Sequence, residues 1–423
     1  MDGTTLELHT CHGYHGTSVA QIAAGYLPDD PKGCGIATDA QVIVFDYWKY
    51  TGNYITSFEE VFRKCVDLKV DVINVANKLD RDFKFMKMVI DMQIVVVYAA
   101  GNTGPLLASM KENPALPAQD LIVVGSALSS DCEPQHPKFK PVMLIDSARG
   151  PLENFGRGIS LAAPGFAVVE ASKWTSSDMI QVMGTSFAAP VIAGGISCLI
   201  SALKSQSKKA INSGLLKMAL QTSAVLPESF DGLSCGDGIP KLDLTFDFII
   251  PDQASDENFI FNINTANIDK EICWSYAEIG GFFKHNDIEM KIFTIPVTVI
   301  LPFSVPSNNV FKTEYVIKDR IPYRFFFDFD GLNCKMYATL LNGASGTLCV
   351  FHLNGNGEML DKNEELQNDK KELVCEMYYK KQQEIVATFV SSDHKERRVE
   401  FEFTFTEVNA LKKMVKNVTD KLR

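Results

Sequence analysis

Between residue 15 and about residue 245, short runs that are apolar at every position alternate with helix-like segments, and this alternation restricts the fold more than any other feature. IVVVYA (94–99) and LIVVGSA (121–127) have no polar face, so strands formed from them need cover on both sides of a sheet. AQVIVFDY (40–47) and VDVINV (70–75) read as further strands. SFEEVFRKCVDL (57–68) reads as a helix: Ser57 and Glu60 have capping-box spacing, and Phe58, Val61, Phe62, Cys65 and Leu68 form one apolar stripe. KFMKMVIDM (84–92) is a second helix. Strands and helices in this order predict an α/β domain with a doubly wound parallel sheet.

The pattern changes near residue 250. From there to 406 strand-like runs follow one another without helices: IFTIPVTVI (292–300), YRFFFDF (323–329), GTLCVFHL (346–353), EIVATFV (384–390) and VEFEFTFT (399–406). Asn-Gly pairs at 342–343, 354–355 and 356–357 predict hairpins between them. A chain of 423 residues exceeds one ordinary core. Two domains are therefore expected, an α/β domain over 1–248 and an antiparallel, β-sandwich-like domain over 259–406. PDQASDEN (251–258) links them, and a terminal helix over 407–423 carries Val408, Leu411, Val415, Val418 and Leu422 on one face.

A formal charge of −11 argues against a nucleic-acid partner, which needs clustered Lys and Arg. The longest apolar stretches, such as 94–101, are too short for a membrane span. LELH at 6–9 is no signal-peptide core, and the ten cysteines, without a CxxC pair, favour reduced thiols and an intracellular setting. Cys65 and Cys198 are expected on apolar helix faces.

Three stretches carry groups suited to acyl transfer. In MGTSFAAPVIAGGISCLISALKS (183–205), Ser186 stands in the first turn of a helix, where the dipole favours negative charge on a nearby oxygen. Pro190 fits that first turn, and Ala188, Ala189, Ala193, Gly194 and Gly195 keep the helix thin enough to cross a domain. Local physics alone favours the other reading, an N-cap serine on a buried helix. His15 opens another helix in HGTSVAQIAAG (15–25), and Asn102 sits in the glycine turn that ends VVVYAAGNTG (95–104). A nucleophilic hydroxyl, an imidazole and an amide donor make one catalytic set. His9, Cys11 and His12 crowd near His15, but their spacing matches no usual zinc pattern, so they are read as loop residues and neither metal nor cofactor is expected.

These blocks, in this order, resemble the subtilisin-like serine peptidases, the subtilases. His15-Gly16-Thr17 with Val19-Ala20 is similar to the family's histidine block, Ala99-Ala100-Gly101-Asn102 to its oxyanion asparagine, and Gly184-Thr185-Ser186-Phe187-Ala188-Ala189-Pro190 to its serine block. The resemblance implies a subtilisin-like α/β fold and hydrolysis of a protein or peptide substrate. Ser186 would be the nucleophile, His15 the general base, and Asn102 with the Ser186 N–H the oxyanion donors. Two departures stand out. The family's aspartate ends an early strand ahead of the histidine, whereas the fourteen residues before His15 offer only Asp2 and Glu7, with no apolar strand leading into them. The expectation is that this strand is missing from the chain or that the chain is a degenerate relative, a pseudopeptidase serving as an interaction scaffold. Where the family usually has Met-Ser-Leu-Gly, this chain reads Val75-Ala76-Asn77-Lys78, which leaves cleavage preference open.

Overall fold

The computed structural model describes residues 13–45, 58–77, 92–110, 121–129, 140–152, 156–171, 178–205, 213–228, 230–249, 274–285, 288–300, 302–328, 332–342, 345–353, 359–366, 370–373, 383–391 and 393–407. Helices α1 (His15–Ala24) and α2 (Phe58–Asp67) precede a five-stranded sheet of β1 (Val72–Val75), β2 (Val95–Ala99), β3 (Ile122–Leu128), β4 (Val142–Met143) and β5 (Leu161–Pro164). β1, β2 and β3 lie side by side in parallel, β5 also pairs β3 in parallel, and β4 meets its last residues antiparallel. Every residue of β2 and β3 is buried, as their unbroken apolar sequence requires. Val95, Val97, Ile122 and Val124 face the long helix α3 (Thr185–Ser205), meeting Ala188, Ala189, Ile192 and Ile196. Val96, Tyr98, Leu121 and Val123 face the other way, toward Met110 and Ile159.

A hairpin of β6 (Phe166–Glu170) and β7 (Met179–Met183) leads into α3. The small residues of α3 let its neighbours approach closely. A Cβ on Gly194 would lie 2.7 Å from the Ala23 carbonyl oxygen and 2.8 Å from Ile36 Cβ, so glycine is what allows the end of α1 and the segment after it to rest on α3. By length and composition α3 could cross a membrane, but it is mostly buried, packed as the core helix of this domain. Pro190 is the sixth residue of α3 rather than a first-turn residue. Its missing N–H is one that the Ser186 carbonyl would otherwise accept from.

After a two-stranded hairpin of β8 (Trp274–His285) and β9 (Ile288–Ile300) come two stacked sheets. One runs β10 (Phe303–Ser304), β12 (Tyr323–Asp328), β17 (Gln383–Val390), β14 (Gly346–Leu353), β15 (Met359–Leu366); the other runs β11 (Val310–Ile317), β18 (Arg397–Glu407), β13 (Leu332–Leu340), β16 (Lys370–Leu373). All pairings are antiparallel except the short β10–β12 contact. Phe325, Phe327 and Phe389 of one sheet and Phe401, Phe403 and Phe405 of the other share one core, the arrangement of a β-sandwich.

Several expectations change. Residues 41–45 form no strand, and Val42, Ile43 and Val44 are exposed, because among the described residues nothing pairs with their backbone. The Asn342-Gly343 pair joins β13 and β14, which belong to different sheets, so it makes no hairpin between paired strands. The run 354–357 does connect a paired hairpin, with Leu353 opposite Met359. Cys65 is buried in α2 as its stripe predicted, whereas Cys198 is exposed. Glu407, placed in the terminal helix by its sequence, is the last residue of β18. The rest of that helix, the helix 84–92 apart from Met92, the linker 251–258, Ser57 of the capping box, and His9, Cys11 and His12 lie outside the described residues.

Candidate active site

Three chain segments meet where β1, β2 and α3 come together. Gly184 has φ +133°, and a Cβ there would lie 3.1 Å from Asn102 Nδ2 and 3.3 Å from its Oδ1. Only a residue without a side chain lets the Asn102 carboxamide lie against the start of α3. The Asn102 Oδ1 accepts from the Thr185 N–H at 3.0 Å and from the Thr185 hydroxyl at 2.9 Å. The Thr185 Oγ1 in turn accepts from the Gly101 N–H at 3.1 Å. With the amide oxygen held by two donors, the orientation of the carboxamide is fixed, and its NH₂ has no acceptor among the described residues.

The first amides of α3 are shared out unequally. Thr185 donates to Asn102, and Phe187 and Ala188 donate to the Gly184 carbonyl. The Ser186 N–H has no acceptor among the described residues. An orphan amide at a helix start and a pinned carboxamide NH₂ are the donors an oxyanion requires. Ser186 itself is half-buried, and its hydroxyl donates to the Ala76 carbonyl at 3.0 Å, directly after β1.

His15 stands at the start of α1. Its ring packs on Phe187, the residue after the serine, with centroids 5.3 Å apart, although the residue as a whole is exposed. Partial desolvation of the ring pushes the imidazole pKa below its ordinary value. No carboxylate or other group bonds the ring among the described residues. Asn102 and Ser186 are thus brought together through Thr185, and His15 is brought beside Phe187. The threonine was visible in the serine block, but nothing in its local sequence marked it as the residue that orients Asn102. No group of three or more His, Cys, Asp or Glu suited to a metal occurs among the described residues.

The family model described as the subtilase family, Peptidase S8, matches residues 3–253. This chain belongs to the subtilase family. Among curated relatives of this subtilase is tripeptidyl-peptidase 2 of Caenorhabditis elegans, 26% identical over 352 residues that cover 76% of this chain and 25% of the relative. Tripeptidyl-peptidase 2 of Oryza sativa subsp. japonica is 28% identical over 58% of the chain and 19% of the relative. Human membrane-bound transcription factor site-1 protease is 29% identical over 54% and 21%. The chain therefore spans a quarter or less of the length of these relatives. In fold it is similar to the crystal structure of tripeptidyl peptidase 2, with a TM-score of 0.68 at 18% identity, over 93% of this chain and 40% of that one. That likeness extends across the β-rich region as well as the α/β domain. The family match sets the chain among the serine peptidases by resemblance, and the structural likeness extends the shared fold.

Proposed function

We propose that this subtilase hydrolyses internal peptide bonds with Ser186 as nucleophile and His15 as general base. Asn102 Nδ2 and the Ser186 N–H receive the oxyanion. The observation that carries the reading is the pairing of two donors without an acceptor among the described residues, the oriented Asn102 NH₂ and the Ser186 N–H, at the start of one helix. In the reaction the Ser186 hydroxyl leaves the Ala76 carbonyl and attacks the scissile carbon, and its proton passes to a neutral His15. The carbonyl oxygen becomes an oxyanion held by the two donors, and His15 returns the proton to the leaving amine. Water repeats the cycle on the acyl-enzyme.

We further propose that no aspartate of this chain orients His15, so the imidazolium formed during attack lacks its usual counter-charge. The second reading, a pseudopeptidase scaffold, is favoured by one observation: the Ser186 hydroxyl bonds the Ala76 carbonyl and not His15. Replacing Ser186 with alanine separates the two. The parent chain should cleave an internally quenched peptide at a low rate that Ser186→Ala abolishes, whereas a scaffold gives the same background for both. The tripeptidyl-peptidase relatives make removal of N-terminal tripeptides the rival cleavage mode. Release of a fluorophore from a tripeptide only when its amino terminus is free would support that mode over internal cleavage.

The acid limb of the rate follows from His15. A base works only when unprotonated, and a pKa lowered by burial keeps His15 neutral to lower pH. The limb of kcat/KM should fall below the ordinary imidazole value of about 6.5. A midpoint clearly above that value would mean that a carboxylate sits against the ring.

A further inference from the structure

The loop that follows Asn102 is held by the other domain. Arg324 on β12 donates through Nη1 to the Pro105 carbonyl at 2.7 Å and to Glu384 Oε1, also at 2.7 Å. Glu384 on β17 accepts the Leu107 N–H through Oε2 at 2.9 Å. Between these contacts Leu106 is buried against Phe351 and Val386 of the same sheet. Three consecutive residues, beginning three positions after Asn102, are therefore fixed by β12, β14 and β17. The opposite side of the loop is stitched to its own domain. Gly104 N–H donates to the Asp146 carbonyl at 2.9 Å, Ala108 N–H to the Gly150 carbonyl at 2.9 Å, and Thr103 Oγ1 to the Ser109 carbonyl at 2.5 Å. Arg149 stiffens this second wall: fully buried, its guanidinium donates to the Ser147 and Leu144 carbonyls, and burial pushes its pKa down to about 10.

The Arg324–Glu384 pair is costly to bury. The Arg324 side chain is 1% exposed and that of Glu384 12% exposed, and burial raises the Glu384 pKa against the opposing pull of Arg324. A desolvated ion pair contributes little net stability compared with apolar residues of the same volume, so domain attachment alone would be served as well by more contacts of the Leu106 kind. What the pair supplies that apolar packing cannot is direction: a carbonyl and an N–H two residues apart are each held by a charged group. Catalysis by an oxyanion donor depends on the donor being fixed before the charge develops.

We propose that Arg324 and Glu384 are positioning residues of the peptidase centre, holding the Pro105–Leu107 loop and through it Asn102, so that the β-rich domain is a working part of the hydrolytic site. The catalytic half of this inference rests on the proposed role of Asn102; the latch itself rests on the contacts above.

In the full 423-residue chain, Glu384→Gln keeps the shape and removes the charge. Amide hydrogen exchange across 102–108 should rise at least tenfold in this variant, with exchange in α3 unchanged. Its kcat should fall roughly 10- to 100-fold at unchanged KM. In an Asn102→Ala background the same substitution should cost nothing further in kcat, because the group it positions is gone. Arg324→Lys, which keeps a cation on a single donor nitrogen, should restore part of what Arg324→Met loses. Unchanged exchange across 102–108, or an equal kcat loss with and without Asn102, would overturn the proposal. If the parent chain shows no Ser186-dependent hydrolysis while exchange responds as expected, the functional reading fails and the latch stands. Unchanged exchange with intact hydrolysis sinks the latch alone.

Discussion

A polypeptide in which the family's aspartate-bearing strand is added ahead of residues 1–423 is expected to hydrolyse peptides about 10⁴ times faster than residues 1–423 alone, and to melt several degrees higher. The rate expectation comes from His15. Its ring packs on Phe187 and meets no carboxylate among the described residues, and in the proposed mechanism an added aspartate would fix its tautomer and stabilise the imidazolium formed during attack. In subtilisin, removing the aspartate alone lowers kcat by about 3 × 10⁴, which leaves a slow enzyme rather than an inert one. The stability expectation comes from β1. Among the described residues it pairs β2 on one side only and the Oδ1 of its own Asn74 is buried without a donor, and Val42, Ile43 and Val44 are exposed. A strand on that edge would satisfy backbone groups there. Both gains have one origin, and the acid limb of kcat/KM should move up with them as the new carboxylate raises the His15 pKa. Peptidase rate and melting temperature measured on the two polypeptides test this. Equal rates would mean that a carboxylate within residues 1–423 already serves His15, and Asp2 would be the first to replace.

Asn102→Ala is expected to lower kcat by about 10²–10³ with KM little changed. Its NH₂ has no acceptor among the described residues, while Thr185 holds the amide oxygen with two donors; in the proposed mechanism that NH₂ meets charge that exists only during the reaction. Losing a contact made only in the transition state lowers kcat without weakening substrate binding. Thr185→Val should copy part of this loss by freeing the carboxamide to rotate. If Asn102→Ala raised KM and left kcat alone, Asn102 would be a turn residue between Gly101 and Gly104.

What could be read from the sequence was what depends on local pattern. β2 and β3 are buried on both faces as their unbroken apolar runs demanded, and the thinness of α3 at Gly194 is realised as contact with Ala23 and Ile36. Features set by distant partners were not legible. Residues 41–45 have strand composition, yet a strand exists only where a neighbour supplies hydrogen bonds. Asn342-Gly343 has hairpin chemistry, yet β13 pairs β16 and β18 while β14 pairs β15 and β17, so the two strands lie in different sheets. At the candidate site, the residues proposed to do the chemistry stood in dense blocks, whereas Thr185 bonds a residue 83 positions earlier. Arg324 and Glu384 reach the loop after Asn102 from more than two hundred positions away, a relation with no local signature.

The most direct measurement of the central claim, that Ser186 is an activated nucleophile, is labelling with a peptidyl phosphonate followed by mass mapping of the modified residue. The parent chain and its aspartate-extended form should both carry the adduct on Ser186, the extended form much faster, and Ser186→Ala should carry none. Labelling of Ser186→Ala at the parent's rate, or an adduct on any other serine, would contradict the account.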